Sequence, residues 1–232
     1  MCPSAHWVTL RIGQFFVMLD VMTEAPGLRE RKKLETRNAI SQAALELTEG
    51  RAYVDVTVAE IATAAGVSRR TISNYFASKA DCFTGAVGGQ FISDLVRELL
   101  AVESGGTAER LSRAFKAVDP SYWENVRRLH TVALAEPEVA AAVALAERTQ
   151  CDELANVLIE ASDNQIDRLR IKVTISAIGS CISACVEHWL ESGAQGGPTS
   201  LADLVASSLD VLNLSWLDPH LGAIRTLYDT SP

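Results

Sequence analysis

The sequence predicts an all-α protein, with a small N-terminal unit of three helices containing a helix-turn-helix and a larger helical bundle behind it. Three observations carry the prediction. No proline falls between Pro26 and Pro120, apolar residues recur at helical rather than alternating spacing, and Ser or Thr stands just ahead of several apolar runs, where helices begin.

The elements follow in order. Residues 1–24 form an N-terminal extension to which no structure is assigned. Its apolar residues Trp7, Phe15, Phe16 and Met18 are interrupted by Arg11 and Asp20, so it is too short to span a bilayer, and it lacks the small-residue cleavage site of a signal peptide. Met22 offers an alternative start. From about Leu28 a helix runs towards Gly50, with Ile40, Ala43, Ala44 and Leu47 on one i, i+3, i+4, i+7 face. Thr57 and Glu60 have the spacing of a capping box and open a short helix that Gly66 stops. Ser68 caps a second short helix, from Arg69 to about Phe76, and Ser78 caps a longer one from Lys79, along which Phe83, Val87, Phe91, Leu95 and Leu99 repeat every fourth residue. Further helices are expected at about 108–117, 122–135, 138–161, 165–191 and 200–217, with residues 193–198 as a Gly-rich connector and residues 218–232 as a tail without pattern.

Charge is unevenly distributed along the chain. The 232 residues carry a formal net charge of −8, which argues against a surface that coats nucleic acid throughout. Residues 22–79 nevertheless hold nine Lys and Arg against seven acids, whereas residues 80–232 hold eleven against twenty-one. A basic end on an acidic body is suited to docking on a polyanion through that end alone. Five cysteines at irregular spacing suggest no disulfide framework, and the expected compartment is the cytoplasm, with no membrane partner.

The informative stretch runs from Thr57 to Lys79. Gly66 supplies the positive φ of a tight turn, while Ile61, Ala62, Ala65, Val67 and Ile72 allow two helices to cross closely. The second helix then presents Arg69 and Arg70 in its first turn, where a guanidinium can pair with guanine O6 and N7 or take a phosphate. Thr71, Tyr75 and Lys79 offer donors to the sugar-phosphate backbone, and residues 29–37 add a basic arm.

This stretch closely resembles the TetR/AcrR family of bacterial transcriptional regulators. The resemblance rests on Thr57, Ile61, Ala62, Ala65, Gly66, Val67, Ser68, Thr71, Tyr75, Phe76, Ser78 and Lys79. It implies that residues 25–78 are a DNA-binding domain and 79–217 a ligand-binding and dimerisation domain. It also implies base-proximal roles for Arg69, Arg70 and Ser73, and phosphate roles for Thr57, Ser68, Thr71, Asn74, Tyr75 and Lys79. Ser73 stands where most members carry an aromatic residue, so operator preference cannot be transferred.

By the same resemblance the protein is expected to be a homodimeric regulator, most often a repressor. It would bind a palindromic operator in double-stranded DNA and be released by a small-molecule effector, for which the layout from Glu187 to Leu190 onward resembles the subgroup associated with acyl-CoA-like ligands. Phe83, Phe91, Phe115, Trp123, His130, Cys151 and Trp189 are candidate lining residues, since aromatics supply area and His a directional polar group. Within residues 171–189, one 4-3 repeat comprises Ile171, Ile175, Ile178, Ile182, Cys185 and Trp189, and a second comprises Thr174, Ala177, Cys181, Ala184 and His188. One face suits the protein's own core and the other a symmetry mate, with Leu201, Leu204, Val205, Ser208 and Leu212 as a second seam. Cys181, Cys185 and His188 share a spacing compatible with a metal, but the same positions fit ordinary packing, so no metal or cofactor is expected. No nucleophile-base pair, phosphate loop or metalloprotease motif is present, and no enzymatic activity is expected. Gly85, Gly88 and Gly89 suggest either a flexible join between reader and sensor or the close packing of another helix.

Overall fold

A computed structural model describes residues 28–87, 91, 95, 98–99, 101, 104–161 and 166–221, and every regular element among them is helical. The N-terminal unit comprises α1 (Leu28–Leu47), a 3-10 turn at Tyr53–Asp55, α2 (Val58–Ala64) and α3 (Arg69–Tyr75). After it come α4 (Asp81–Thr84) and a 3-10 turn at Gly85–Val87, with helical residues again at 91, 95, 98, 99 and 101. The bundle continues with α5 (Thr107–Ala117), α6 (Pro120–Ala135), α7 (Pro137–Ala161), α8 (Arg168–Glu191) and α9 (Gly197–Ser208). Two 3-10 turns, Leu209–Val211 and Ser215–Leu217, follow.

Two apolar cores organise these helices. The first gathers Ile40, Ala44, Leu45, Ile61, Ala62, Ile72 and Phe76 around Tyr53 and Phe83, and extends to Leu129 of α6 and Val139 and Val143 of α7. The second is built on Phe115, Trp123, Ile159, Ile171, Val186, Leu201 and Leu209. Phe83 therefore lies in the core of the N-terminal unit, its ring tilted by 58° against that of Tyr53 at 5.4 Å between centroids. The buried arc of α1 is wider than the expected stripe: Ile40, Ala43 and Ala44 are buried, Ser41 and Leu45 are also fully covered, and Leu47 is half-buried. The reason is that α1 meets both α2 and the α4 segment, so a single stripe does not describe its covered surface.

The helix expected from Lys79 departs from regularity at Gly85. A Cβ there would collide with the Ser41 hydroxyl and approach Phe76 at 3.2 Å, so glycine serves close packing at this position. Gly88 and Gly89 lie outside the described residues. Several helix starts shift because caps precede the apolar pattern: Asp119 with Pro120 opens α6, and Asp167 accepts a hydrogen bond from the Arg170 amide at 2.7 Å to open α8. Pro198 in the first turn likewise sets α9 earlier than Ser200.

α9 ends at Ser208, short of the expected Leu217, because Leu212 takes an extended conformation that lets Leu209, Leu214 and Leu217 all reach the interior. The segment after Asp218 also has a structural role. The Asp218 carboxylate accepts from the Thr107 amide at 2.7 Å and from its hydroxyl at 2.6 Å, capping α5 across 111 residues, and Leu221 is buried.

α8 is the one helix among the described residues long and apolar enough to cross a membrane by length and composition. Here Ile171, Ile175, Ile178, Cys185, Val186 and Trp189 are buried in the bundle. Its other face holds Thr174, Ala177 and Cys181 half-buried, with Ala184 and His188 exposed.

Candidate functional site

The helix-turn-helix is built by local capping. Thr57 Oγ1 accepts from the Glu60 amide at 3.2 Å while the Thr57 amide donates to Glu60 Oε2 at 2.8 Å, the reciprocal pair of a capping box. These bonds, reinforced by Arg51 at 3.0 Å, hold the Glu60 carboxyl down at about 2. Gly66 adopts φ +66°, and the Val67 amide reaches back to the Ala62 carbonyl at 2.9 Å, closing α2 in the manner of a left-handed cap. Ser68 Oγ then accepts from the Thr71 amide at 2.9 Å and starts α3.

This construction buries Ile72 and leaves Arg69, Arg70, Ser73 and Asn74 exposed on α3. Among the described residues, the Arg69 and Arg70 side chains have no ion-pair or hydrogen-bond partner. Ser73 Oγ donates to the Arg69 carbonyl at 3.2 Å. Thr57 and Ser68 are exposed with their hydroxyls engaged in caps, while Thr71 and Tyr75 are half-buried.

Lys79 differs from the expectation of a side chain reserved for phosphate. Its Nζ donates to the carbonyls of Tyr53 at 2.9 Å and Val56 at 3.1 Å, and stands 3.7 Å from the Tyr53 ring centroid. Two of its three donors are therefore committed to fixing the 3-10 turn against the start of α4. Arg37, counted in the basic arm, has a similar structural contact. Its guanidinium donates to the Tyr75 carbonyl at 3.1 Å and lies 4.4 Å over the Phe76 ring, tying the end of α3 to α1. Burial pulls its pKa below the usual arginine value. No local signal marks this contact in the sequence, because the partners lie 38 residues apart.

A cavity of about 90 Å³ lies between α6, α7, α8 and the segment after α4. Of the seven candidate lining residues, Phe91, His130 and Cys151 border it. Phe115 and Trp123 are fully buried beside it in an aromatic cluster with Phe91 and Tyr122, and Trp189 donates to the Gln195 carbonyl at 3.1 Å in the connector. Phe83 belongs to the other core. Sequence reading missed Tyr122, Glu147 and Ser183. Glu147 accepts from Ser183 Oγ at 3.1 Å and faces His130 Nε2 at 3.7 Å. Burial lowers the His130 imidazole to about 4, so at neutral pH this contact is between a neutral ring and an acid, and is not an ion pair. Burial raises the Glu147 carboxyl, with Glu187 adding repulsion against the Ser183 hydrogen bond.

Beside the shared apolar core, polar contacts among the described residues join reader and bundle. Tyr53 Oη donates to Glu138 of α7 at 3.1 Å, and Arg128 of α6 pairs with Glu49 beyond α1 at 2.9 Å. Among the described residues, no group of three His, Cys, Asp or Glu side chains is arranged to hold a metal ion. Cys185 is buried while His188 is exposed.

A glycine-cornered helix pair with unpartnered guanidiniums on the outer face of its second member defines the class: a helix-turn-helix DNA-binding regulator. Residues 40–86 match the family model described as bacterial regulatory proteins, tetR family. The chain is 29% identical over 192 residues to a Mycobacterium tuberculosis protein provisionally named mycofactocin biosynthesis transcriptional regulator MftR, covering 79% of this chain and 96% of that one. It is 36% identical over 95 residues to the HTH-type transcriptional regulator TcmR of Streptomyces glaucescens, covering 40% and 41% of the two chains. Among solved structures, a tetR-family transcriptional regulator from Streptomyces coelicolor aligns at a TM-score of 0.44 and 21% identity, covering 85% of this chain and 90% of that one. The match over residues 40–86 and the likeness to these regulators together support a tetR-family transcriptional regulator.

Proposed function

We propose that this regulator is a cytoplasmic repressor that binds a palindromic operator as a homodimer and is released by a small apolar effector. Residues 25–78 act as reader and residues 79–217 as sensor and dimerisation unit. The single observation that carries the reading is the outward face of α3, where Arg69 and Arg70 are exposed and unpartnered among the described residues. Arg69, Arg70 and Ser73 meet base edges, while Thr57, Ser68, Thr71, Asn74 and Tyr75 position the backbone. Lys79 retains one donor for a phosphate and mainly holds the reader together.

The dimer reading is supported by α8, whose outer face leaves Leu169 72% and Val173 59% exposed beside small residues. From α9 and the turn after it, Leu204, Ser208 and Leu212 are half-buried and keep part of their surface outward, whereas Leu201 and Val205 are fully covered in the chain's own core. Effector coupling is supported by the cavity itself. Thr84 and Val87, which border it, directly follow the reader, while α6 and α7 carry the contacts to Glu49 and Tyr53. A ligand that spreads these helices would shift the two recognition helices away from half-sites about 34–36 Å apart.

Fluorescence anisotropy on duplexes from the gene's own upstream region tests the reading. Preferred, salt-dependent binding to one palindrome over random duplex supports it. Equal binding to both, or a monomer at saturating DNA in sedimentation equilibrium, refutes it.

A further inference from the structure

The cavity is apolar over most of its wall and polar at one corner. Phe91 and Tyr122 stack face to face at 4.2 Å between centroids with 7° between planes, and both border the space. The polar corner consists of His130 on α6, Glu147 on α7 and Ser183 on α8. Among the described lining residues there is no Lys or Arg. An anionic ligand would therefore meet a carboxylate without a compensating cation.

Ser183 already donates to Glu147 Oε2, which leaves Oε1 facing His130 across 3.7 Å, a gap wider than a direct hydrogen bond. A donor placed there would satisfy an acceptor whose present neighbour is distant. We infer that this corner reads an ammonium group, and that the effector is a compact aromatic or aliphatic amine whose apolar body lies against Phe91 and Tyr122 and whose nitrogen donates to Glu147. The inference rests on the sensor role proposed above and specifies its ligand class.

Three features favour a cation over a neutral or anionic head group. Glu147 offers a carboxylate, and the acidic Glu187 adds negative potential beside it. The aromatic faces attract cations through their quadrupoles. Neutral His130 adds no opposing charge, because burial holds it unprotonated at neutral pH. Size limits the body of the ligand. The void is about 90 Å³, smaller than the ~150 Å³ that accepts benzene in an engineered apolar cavity, so even a single ring must push the wall outward. Thr84 and Val87 are part of that wall, which makes displacement of the segment behind α3 the expected consequence of occupancy. The nucleotide portion of an acyl-CoA has no place inside such a space.

The test uses the full chain and four probes: phenethylamine, phenethyl alcohol, hydrocinnamate and hydrocinnamoyl-CoA. Thermal shift titrations are read for wild type, Glu147→Gln and the cavity-filling Ile182→Phe, alongside anisotropy on the duplex. Phenethylamine is expected to bind about tenfold more tightly than hydrocinnamate, the worth of one charge-assisted hydrogen bond. Glu147→Gln should bring amine and alcohol to equal affinity, read as the ligand-induced shift relative to each variant's own free protein. Ile182→Phe should remove all binding. Hydrocinnamate or the CoA thioester binding as well as the amine would overturn the inference. So would an unchanged amine preference in Glu147→Gln, or no shift from any probe in protein that still binds its duplex. Loss of duplex binding in the untreated protein would instead refute the reader, independently of the amine results.

Discussion

The reader and the sensor are both helical, yet they handle polar groups in opposite ways. In the reader, the polar side chains that open its helices are engaged at short range, while Arg69 and Arg70 face outward. Thr57 and Glu60 cap α2, Ser68 caps α3, Ser78 and Asp81 exchange hydrogen bonds at 2.9 and 3.1 Å, and Lys79 and Arg37 tie the unit together from outside. In the sensor, packing is mostly apolar and some polar groups remain unsatisfied. Among the described residues, both carboxylate oxygens of Glu153 and the Trp123 indole nitrogen are buried without a hydrogen-bond partner, whereas in the reader this holds for the Ser41 hydroxyl alone. The contrast indicates a rigid part that must present a fixed face to DNA and a softer part able to rearrange around a ligand, because unsatisfied buried groups raise the free energy of the resting packing.

The largest expected effect tests reader rigidity. Lys79→Ala removes two charge-assisted hydrogen bonds and a cation–π contact, and should cost about 3–4 kcal/mol of stability by chemical denaturation. A loss confined to duplex affinity, with stability unchanged, would return Lys79 to a purely phosphate-contacting role and weaken the contrast.

Glu153 tests sensor softness. Burial raises its carboxyl to about 7, whereas in the unfolded chain it ionises near the usual value of 4.5. Between those values folding takes up a proton, so stability falls as pH rises through the window, by about 3 kcal/mol in all. Glu153→Gln should flatten that fall, leaving the variant more stable than wild type above pH 7 and equal to it below pH 4.5. Denaturation midpoints across this range measure it, and a parallel pH dependence in the two proteins would remove Glu153 as a source of sensor strain.

Arg69→Ala should cost about 2 kcal/mol on the preferred duplex and much less on random DNA, with no change in melting temperature, because among the described residues its exposed side chain has no hydrogen-bond or ion-pair partner. Uniform loss on both duplexes would make it a phosphate contact. The smallest effect concerns Asp218→Ala, which should cost about 1 kcal/mol through the lost cap on α5 and leave duplex binding intact. A larger loss, or one accompanied by weaker DNA binding, would mean that the segment beyond α9 supports more than the sensor.

Much of the reader was legible because its determinants are local. A capping box needs Thr57 and Glu60 three residues apart, and a tight turn needs the φ that Gly66 accepts, so both can be read from a short window. The inner face of α8 was legible for the same reason, since Ile171, Ile175 and Ile178 follow helical period. The cavity was only partly legible. Phe91, His130 and Cys151 were singled out by chemical type, but Phe83, Phe115, Trp123 and Trp189 share that type and lie elsewhere. Glu147 and Ser183 give no signal alone, because their pairing depends on how α7 lies across α8.

The sequence by itself determined the all-α class, the helix-turn-helix and the outward placement of Arg69 and Arg70, since each depends on periodicity and capping within a few turns of chain. Only the tertiary structure decided that Lys79 and Arg37 brace the reader, that Gly85 is a contact point against Ser41 and Phe76, that Asp218 caps α5, and that His130, Glu147 and Ser183 meet at one corner of a cavity. Those outcomes join residues far apart in the chain, and the distance between such residues is set by how helices pack, which no local window contains.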